Sequence, residues 1–370
     1  MNPWTFTLNE YTPADTVLNG NRFLTGNGYM GCRGTMDEWG KAEMAAVNLA
    51  GVYDQNGDKW REPVNAPNGL FARLSVDGVE MVLGKTPEKA HSQTLDVRRG
   101  LFFRDTDFGS VRLKSERLVS MAGPHLMAAR LTFNCAADAR AELLCGIDTD
   151  IWDINGPHLF GHEYNADEIL SVMARTGELD IPVAVAQAVA CDFPHEERRE
   201  IRDNGVYRRM SFAAQAGCEY VVSIFAAVYT GLDMEQGQCS HVRGEEKQVA
   251  AAPCLDAAKT AATQGEAGET SPCLRAAQAC CEQARAAGFA QVLSAHEAAW
   301  ENLWDHSHVE ITGHDEAARA MNFSLYHLHS IAPRHADNLS IPARGLSGQT
   351  YKGAIFWDSE IFLFPVFVHT

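Results

Sequence analysis

The stretch Arg344-Gly-Leu-Ser-Gly-Gln-Thr-Tyr-Lys-Gly-Ala-Ile-Phe-Trp-Asp-Ser-Glu-Ile-Phe362 places a glycine-containing loop directly before a cluster of aromatic and acidic side chains. A planar aromatic ring beside a carboxylate suits a sugar, because the ring covers the apolar C–H face and the carboxylate accepts hydrogen bonds from hydroxyl groups. The residues that follow, 361–368, are apolar throughout, and a helix of that kind must be buried on every side. Only two residues come after them, so we expect this chain to be the front part of a longer protein.

A second motif lies near the start of the chain, Asn19-Gly-Asn-Arg-Phe-Leu-Thr-Gly-Asn-Gly-Tyr-Met-Gly-Cys-Arg-Gly34. Together with Gly345-Leu-Ser-Gly348 and Phe356-Trp-Asp-Ser-Glu-Ile-Phe362, it resembles glycoside hydrolase family 65. That family contains the inverting α-glucoside phosphorylases, among them the maltose, trehalose, kojibiose and nigerose phosphorylases. Two motifs in the right order at opposite ends of the chain make the resemblance specific. It spans the whole chain apart from a diverged alanine-rich stretch near 244–290.

The resemblance implies a multidomain fold of the β + α class. We expect a large antiparallel β-sandwich at 1–240, a helical linker at 241–312 and the beginning of an (α/α)6 catalytic barrel at 313–370.

The resemblance also implies a function for the whole protein, namely phosphorolysis of an α-linked glucose disaccharide with inversion to β-glucose 1-phosphate. Inorganic phosphate is then the co-substrate, no cofactor is required, and a homodimer is expected. The motif match assigns Trp357 and Asp358 to the subsite that binds the donor glucose and makes Arg344 a further sugar contact. The general acid and the phosphate site are expected beyond Thr370, so no residue of this chain is assigned a catalytic role.

Two other functions remain open at the level of the sequence. The whole protein is a hydrolase of the same family if a second carboxylate replaces the phosphate loop, because an inverting hydrolase activates water with a base. Alternatively, the chain is an inactive truncated remnant that retains carbohydrate binding at most. The residues that separate these functions are expected outside 1–370.

Without the resemblance, the residue pattern indicates the sandwich and the helices that follow it; the barrel is what the resemblance implies. From about residue 17 to 230 the chain reads as strands and turns, with a hairpin in which Asp77-Gly78 joins Leu70–Val76 to Val79–Leu83. Many short strands without intervening helical patterns indicate a large β-sandwich. The further predicted strands are Val111–Val119, His125–Asn134, Ala141–Ile147, Ile169–Ala174, Val183–Phe193, Val206–Ala213 and Tyr220–Tyr229.

The composition changes after residue 231 to helix-forming residues. We predict helical pieces separated by a flexible turn over 245–290 and a firmer helix over Gln291–His306. Asp315 is predicted to cap a helix that runs through Ala332, and residues 355–368 to begin a second barrel helix. The predicted buried positions of the first barrel helix are Ala317, Met321, Leu325, Leu328, and Ile331 or Ala332.

Charge and cysteine usage exclude several classes of protein. The 48 acidic and 31 basic residues give a formal charge of -17, which argues against nucleic acid and anionic membranes as partners. The ten cysteines show no C-x-x-C spacing, and Cys145 and Cys191 fall in apolar strand patterns as small buried side chains. We see no basic and apolar leader at the start, so the expected location is the cytoplasm.

Three further motifs have simpler interpretations than a functional one. Gly26-Asn-Gly-Tyr-Met-Gly31 fits a dinucleotide fingerprint, but no helix follows it, so we interpret it as a turn in a β-domain. His327 and His329 lie two apart on a predicted helix and point to different sides, so no metal site is expected there. Asp358 and Glu360 diverge for the same reason, and Glu360 is interpreted as a charge near a helix N-terminus.

Overall fold

The computed structural model describes residues 2–235 and 271–370. In these residues eighteen strands form three antiparallel sheets. The strands are β1 Thr5–Leu8, β2 Thr25–Gly26, β3 Met30–Cys32, β4 Val47–Asp54, β5 Glu62–Ala66, β6 Asn68–Val76, β7 Val79–Glu80, β8 Ala90–Asp96, β9 Leu101–Asp107, β10 Val111–Val119, β11 Leu126–Cys135, β12 Ala139–Asp148, β13 Leu159–Ala166, β14 Leu170–Thr176, β15 Pro182–Cys191, β16 Glu196–Arg202, β17 Gly205–Ala214 and β18 Glu219–Thr230.

The two larger sheets face each other and form a sandwich. One has nine strands in the order β1-β8-β9-β10-β11-β18-β15-β14-β13, and the other has five in the order β16-β17-β12-β6-β7. Leu113 and Phe133 of the first sheet share one buried cluster with Leu74 and Leu143 of the second. Alternate residues of each strand point into this layer, since side chains on a strand alternate between its two faces.

The third sheet brings the N-terminal motif to one side of the molecule. Its order is β2-β3-β4-β5, and each neighbouring pair is antiparallel. Strands β2 and β3 pair Thr25 with Cys32 and Gly26 with Gly31. The glycine-rich run Gly26–Gly31 is therefore a hairpin turn, as the sequence predicted, and not a phosphate-binding loop.

Helices cover the outer face of the nine-stranded sheet and continue to the C-terminal residues. The α-helices of the described residues are α1 Thr16–Arg22, α2 Gly231–Glu235, α3 Pro272–Ala287, α4 Phe289–Ser307, α5 Asp315–Ile331 and α6 Phe364–His369. Short 3-10 turns occur at Pro13–Asp15, Lys41–Glu43 and Thr350–Gly353, and a π-turn occurs at Ser359–Leu363.

Small side chains allow α3 to lie close to the sheet. Ala184 and Ala186 of β15 and Ala227 of β18 form one buried cluster with Ala277 and Ala284 of α3. Methyl groups on both surfaces let helix and sheet approach without voids, which keeps dispersion contacts along the whole length of the helix. Because the opposite face of β18 packs into the sandwich, this strand is buried on both faces.

Helix α5 differs from its prediction in both its cap and its buried face. His314 is the N-cap, and its Nδ1 accepts a hydrogen bond from the Ala317 N–H at 3.1 Å, whereas Asp315 is the first helical residue. The prediction of Asp315 as the cap was wrong because an imidazole nitrogen takes the position that Asp or Ser usually holds. The buried residues of the helix are Ala318, Asn322, Leu325, Tyr326, His329 and Ser330. Of the predicted positions, Leu325 is buried, and so is Ala332, the residue directly after the helix.

The polar residues of this face have backbone partners. The Tyr326 hydroxyl donates to the Leu24 carbonyl at 3.0 Å, and the Asn322 amide donates to the Pro3 carbonyl at 3.2 Å. Met321, predicted as buried, is 36% exposed. A hydrophobic periodicity cannot find a buried face built from Asn, Tyr and His, because each of these is buried only where a partner satisfies it.

The predicted fold class is confirmed as an antiparallel sandwich followed by helices. The seven further predicted strands coincide with β10, β11, β12, β14, β15, β17 and β18 to within two residues at each end. The hairpin over Asp77-Gly78 is also present, with Asp77 and Gly78 at φ 50° and 81°. The helix predicted at Gln291–His306 is α4, and the second C-terminal helix begins at Ser359 rather than at 355.

The proposed domain boundaries stay predictions. The boundary near 240 and the helical pieces predicted over 245–270 lie outside the described residues, and α3 is the described part of that region. Within the described ranges, the helices are too short or too polar to span a bilayer. Cys145 is buried in the sandwich, and burial raises the pKa of its thiol to about 12, so it remains a neutral apolar side chain.

Candidate functional site

The two motifs that lie far apart in the sequence touch each other in the fold. A Cβ at Gly28, which has φ 85°, would overlap the carbonyl oxygen of Ala332 at the end of α5. A Cβ at Gly31 would overlap the Leu346 backbone and Cβ. Glycine is required at both positions because the β2–β3 turn lies directly against the loop that begins the C-terminal motif.

A pocket opens where this loop meets helices α1 and α5. Its volume is about 510 Å³, and Arg344 and Asp358 both line it. Asn21 of α1 and His327 of α5 form the opposite wall, together with apolar residues of both helices. Trp357 lies outside the wall and is 73% exposed. The structure therefore brings two of the three predicted site residues into one pocket, and the third, Trp357, lies next to Asp358 in the sequence but outside the pocket lining.

Arg33, from the N-terminal motif, is hydrogen-bonded to the loop that follows Arg344. Its guanidinium donates to the Asn21 side-chain oxygen at 2.6 Å, to the Val17 carbonyl at 3.0 Å and to the Ser347 carbonyl. The guanidinium carbon also lies 5.6 Å from the centre of the Trp152 ring. Burial and, second to it, the positive charge of nearby Arg344 lower the pKa of Arg33 to about 10. Arg33 is therefore still cationic at neutral pH, and its charge favours an acceptor or anion at this end of the loop.

Gln349 ties the same loop to the sandwich. Its amide nitrogen donates to the Pro63 carbonyl at 2.8 Å and to Asp153 Oδ1 at 2.6 Å, and its amide oxygen accepts from the Ile154 N–H at 2.7 Å. The residue is 1% exposed. The partners come from β5 and from the segment between β12 and β13, so Gln349 fixes the position of the loop relative to the β-domain.

A buried charged cluster holds the 153–158 segment, to which Gln349 is hydrogen-bonded. His158 contacts Asp54 Oδ2 through Nδ1 at 3.0 Å and Glu62 Oε1 through Nε2 at 2.9 Å. Asn155 donates to both oxygens of Glu62 at 2.6 and 2.7 Å. Burial acts to lower the pKa of His158, but Glu62, Asp153 and Asp54 outweigh it and hold that pKa above its usual value. The two carboxylates that contact His158 therefore favour its protonated form.

The pKa values of the two acidic residues Glu62 and Asp153 are shifted in opposite directions. Burial acts to raise the pKa of Glu62, but hydrogen bonds from His158 and Asn155 hold it below its usual value. Burial raises the pKa of Asp153 to about 6, although His158 and Gln349 act to lower it. The difference follows from hydrogen bonding, because Glu62 accepts from three groups at 2.9 Å or less.

Among the described residues, Glu62, Asp153 and His158 have one ligand atom each within 4.8 Å of one another. Such a set has the composition of a metal site. Here, however, both nitrogens of His158 already contact carboxylates, and both oxygens of Glu62 accept from Asn155. The geometry is that of a buried ion pair, and we assign no metal to it.

His327 and His329 have separate surroundings, as the spacing predicted. His327 lines the pocket, while the His329 ring packs at 5.7 Å from the Trp304 ring and its Nδ1 lies 2.7 Å from Arg334 Nη2. Burial lowers the pKa of each histidine to about 4, so both are neutral. A neutral imidazole in a pocket wall can exchange hydrogen bonds but carries no charge to repel a cation or attract an anion.

The sequence prediction missed Arg33, Gln349 and Asp153. Arg33 and Gln349 lie inside the two quoted motifs, but the spacing does not predict that Arg33 contacts Ser347 or that Gln349 contacts Pro63 and Asp153. Asp153 lies in a polar, proline-containing stretch between β12 and β13 that carried no recognisable pattern.

Comparison with known families agrees with this architecture. Residues 6–303 match the N-terminal domain of glycosyl hydrolase family 65, and residues 322–370 match the central catalytic domain of that family. The sandwich and the helices after it are thus the architecture of a family of carbohydrate-active enzymes. The chain belongs to glycosyl hydrolase family 65.

Similar proteins carry the match over nearly the whole chain. Nigerose phosphorylase of Lachnoclostridium phytofermentans is 36% identical over 99% of this chain and 48% of its own length. The 1,2-alpha-glucosylglycerol phosphorylase of Bacillus selenitireducens is 28% identical over 99% of this chain and 44% of its own length. The kojibiose phosphorylase of Thermoanaerobacter brockii is 27% identical over 99% of this chain and 46% of its own length. The chain therefore spans about half the length of these relatives.

A solved structure shares the fold. It is provisionally described as a kojibiose phosphorylase from the human microbiome, and it superposes with a TM-score of 0.78 over 99% of this chain and 47% of that one. At 16% sequence identity, the similarity establishes the fold alone.

Proposed function

We propose that the chain is the N-terminal portion of an inverting α-glucoside phosphorylase that releases β-glucose 1-phosphate from an α-linked glucose disaccharide. The observation that carries the proposal is the match to three named phosphorylases, each over 99% of this chain. Membership of the family alone leaves the choice between phosphorolysis and hydrolysis open, and the relatives favour phosphorolysis.

The proposed reaction exchanges one bond at the anomeric carbon. An oxygen of inorganic phosphate attacks that carbon from the face opposite the glycosidic oxygen, whose bond to the carbon breaks. A carboxylic acid gives its proton to the departing oxygen, which becomes a hydroxyl of the acceptor. Phosphate takes the place of the base-activated water used by an inverting hydrolase, so the product is the β-anomer. We place the acid and the phosphate site beyond Thr370.

Within this chain we propose that Asp358, Trp357 and Arg344 bind the donor glucose. A carboxylate accepts hydrogen bonds from adjacent sugar hydroxyls, and a guanidinium donates to a hydroxyl or ring oxygen. The sharing of one pocket of about 510 Å³ by Arg344 and Asp358 supports this, since a pocket of that size accommodates a hexose. Trp357, 73% exposed, offers an apolar surface for the C–H face of the sugar.

We also propose that the enzyme acts in the cytoplasm, as a homodimer and without a cofactor. The neutral disaccharide is insensitive to the acidic charge of -17, whereas phosphate must be drawn by a local cationic group. That group is expected with the phosphate site, beyond Thr370.

The experiment is to read the gene to its stop codon, express its complete product and assay a panel of α-linked glucose disaccharides with and without phosphate. Turnover that requires phosphate, with β-glucose 1-phosphate identified by the anomeric coupling in proton NMR, is the expected result. Phosphate-independent release of glucose establishes a hydrolase and rejects the proposal. Asp358→Asn is expected to lower kcat/KM by about 10- to 100-fold, since a hydrogen bond to a charged group is lost in the bound complex.

A further inference from the structure

Helix α1 forms one wall of the pocket but has no buried apolar side chain to hold it in place. The structure describes all seven of its residues, and the buried ones are Asn19 and Gly20. Leu18 and Asn21 of this helix line the pocket. A helix of two turns has little stability of its own, so its position depends on contacts with other parts of the chain.

The guanidinium of Arg33 supplies such contacts at the base of this wall. Its Nη1 donates to the side-chain oxygen of Asn21 at 2.6 Å and to the Ser347 carbonyl, and its Nη2 donates to the Val17 carbonyl at 3.0 Å. The N–H groups of a planar guanidinium point in fixed directions, so the three acceptors are held at fixed positions relative to one another. Arg33 thus determines where α1 lies relative to the loop of Arg344.

Gly20 allows α1 to approach this guanidinium closely. A Cβ at Gly20 would overlap Nη2 and the guanidinium carbon of Arg33. Alanine is a better helix former than glycine, so the helix itself has no need of glycine at this position. The space that the guanidinium takes explains the glycine.

The hydrogen bond from Arg33 also determines which end of the Asn21 amide is free. A guanidinium carries donors only, so the amide oxygen of Asn21 faces it and the amide nitrogen faces away. Within the described part of the chain, that nitrogen makes no hydrogen bond. Because Asn21 lines the pocket with Arg344 and Asp358, its nitrogen is available as a donor to a ligand.

We propose that Arg33 is a positioning residue of the donor pocket, acting through the orientation of Asn21 and the placement of the loop at Ser347. This inference rests on the proposed function and adds that the β-domain sets the geometry of the pocket. Arg33 is 2% exposed and does not line the pocket, so it affects a ligand only through the residues that it holds. A binding group is effective only when its neighbours hold it close to the productive geometry.

The test is a double-substitution cycle in the complete gene product, with KM and kcat for the disaccharide as the measurements. We expect Asn21→Ala and Arg33→Lys each to raise KM by about 5- to 10-fold, with a smaller change in kcat. The first substitution removes the donor, and the second leaves it unoriented, because one ammonium cannot hold three acceptors. The double variant is expected to raise KM by clearly less than the product of the two single effects, since both act on the same group.

Two further variants separate positioning from stability. Gly20→Ala displaces the guanidinium of Arg33 without removing it, and we expect KM to rise although the substitution favours the helix. Arg208→Lys is the matched control, because Arg208 of β17 is also buried and donates to Glu197 at 2.8 Å and to the Glu168 carbonyl. It is expected to lower the melting temperature and to leave KM within about twofold.

The outcomes distinguish this inference from the proposed function, which the phosphate requirement of the unsubstituted enzyme decides separately. Effects of Asn21→Ala and Arg33→Lys that multiply, or an unchanged KM in either variant, overturn the inference whether the enzyme phosphorolyses or hydrolyses the disaccharide. A lowered melting temperature with an unchanged KM, as expected for Arg208→Lys, shows a purely structural arginine and also overturns it. If Arg33→Lys does not fold, Gly20→Ala takes its place in the cycle, and the same comparison decides.

Discussion

At the scale of single residues, Gln349 connects the loop of Arg344 to the sandwich. Gln349→Ala removes the partner of the Pro63 carbonyl, of Asp153 and of the Ile154 N–H, all in a buried setting. Each buried group left without a partner costs about 1–3 kcal/mol, partly recovered if water enters. We expect a loss of about 2–4 kcal/mol in the free energy of unfolding, measured by urea denaturation.

The neighbouring Thr350→Ala is the control, since Thr350 is exposed in the same loop. Its expected change is within about 0.5 kcal/mol. Equal midpoints for the two variants would show that Gln349 carries no special part of the loop's stability. The KM for the donor is a second measurement. It is expected to rise in Gln349→Ala, because a loosened loop displaces Arg344.

The raised pKa of Asp153 gives a prediction with a defined sign. Burial raises this pKa to about 6 from the ordinary 3.8, so ionised Asp153 destabilises the folded state, and the cost grows as the pH rises from about 4 to above 6. Asp153→Asn keeps the acceptor oxygen for Gln349 and removes the charge. We expect it to stabilise the protein by about 1–3 kcal/mol at pH 8 and to be neutral near pH 4. Thermal unfolding at the two pH values is the measurement, and a constant difference across them contradicts the assignment.

His158 predicts a different pH window. Its pKa is raised, so its stabilisation is complete below about pH 6.5 and is lost as the pH rises through the folded value. The pKa of Glu62 is lowered, so its contribution is complete above about pH 4.3 and is lost at lower pH. The stability lost in His158→Gln should therefore be greatest between about pH 4.5 and 6.5. A loss that grows steadily toward pH 9 would exclude the imidazolium.

At the scale of elements, the β2–β3 hairpin must lie against the end of α5 for the pocket to form. Gly28 and Gly78 both have positive φ, at 85° and 81°, but a Cβ at Gly28 overlaps the Ala332 carbonyl whereas one at Gly78 has nothing within 4 Å. Gly78→Ala is expected to cost only the left-handed backbone, about 1–2 kcal/mol. Gly28→Ala adds a displacement of α5 and is expected to cost about 3 kcal/mol or more. Guanidinium denaturation of this matched pair measures the packing alone, and equal costs would contradict the close approach.

Elements with a strong alternating pattern could be predicted from the sequence, and those held by distant partners could not. β18 alternates between two apolar layers, and its prediction missed one residue at each end. Strands β4 and β5 were missed because Asn48, Asn65 and Glu62 are buried there, with side chains that bond across the sheet or to the 149–158 segment. Polar residues in such a strand lead the sequence pattern to predict a loop, because their buried partners are not visible in the sequence.

The same distinction applies to the candidate site: residues within a recognised motif could be predicted, and roles that depend on distant contacts could not. Arg344 and Asp358 were found from their motif, and both line the pocket. Gln349 lies inside the same motif, but its importance comes from contacts with Pro63 and Asp153, which are distant in the sequence. Local spacing holds no information about such contacts, whereas the topology of the four-stranded sheet brings them together.

At the scale of the whole molecule, apolar side chains gather on the surface of its last segment. Trp357, Phe362 and Phe364 are 73%, 66% and 61% exposed, and Ile361 and Val368 are 48% and 57% exposed. Single exposed apolar residues are ordinary, but a contiguous group of this kind favours self-association because water is released when it is covered. The charge of -17 opposes association only over distances shorter than the screening length, about 8 Å in physiological salt.

We therefore expect residues 1–370, expressed alone, to be inactive and to associate into species of increasing mass as the concentration rises. Size-exclusion chromatography with light scattering measures this. The double substitution Phe362→Ser and Phe364→Ser should reduce association strongly, because it divides the apolar surface, whereas Leu179→Ser, at an isolated residue that is 64% exposed, should not. A discrete dimer that both variants retain would instead place the contact on the sandwich or the helices behind it. That result would support the proposed homodimer and would show that the apolar C-terminal surface is not what drives self-association.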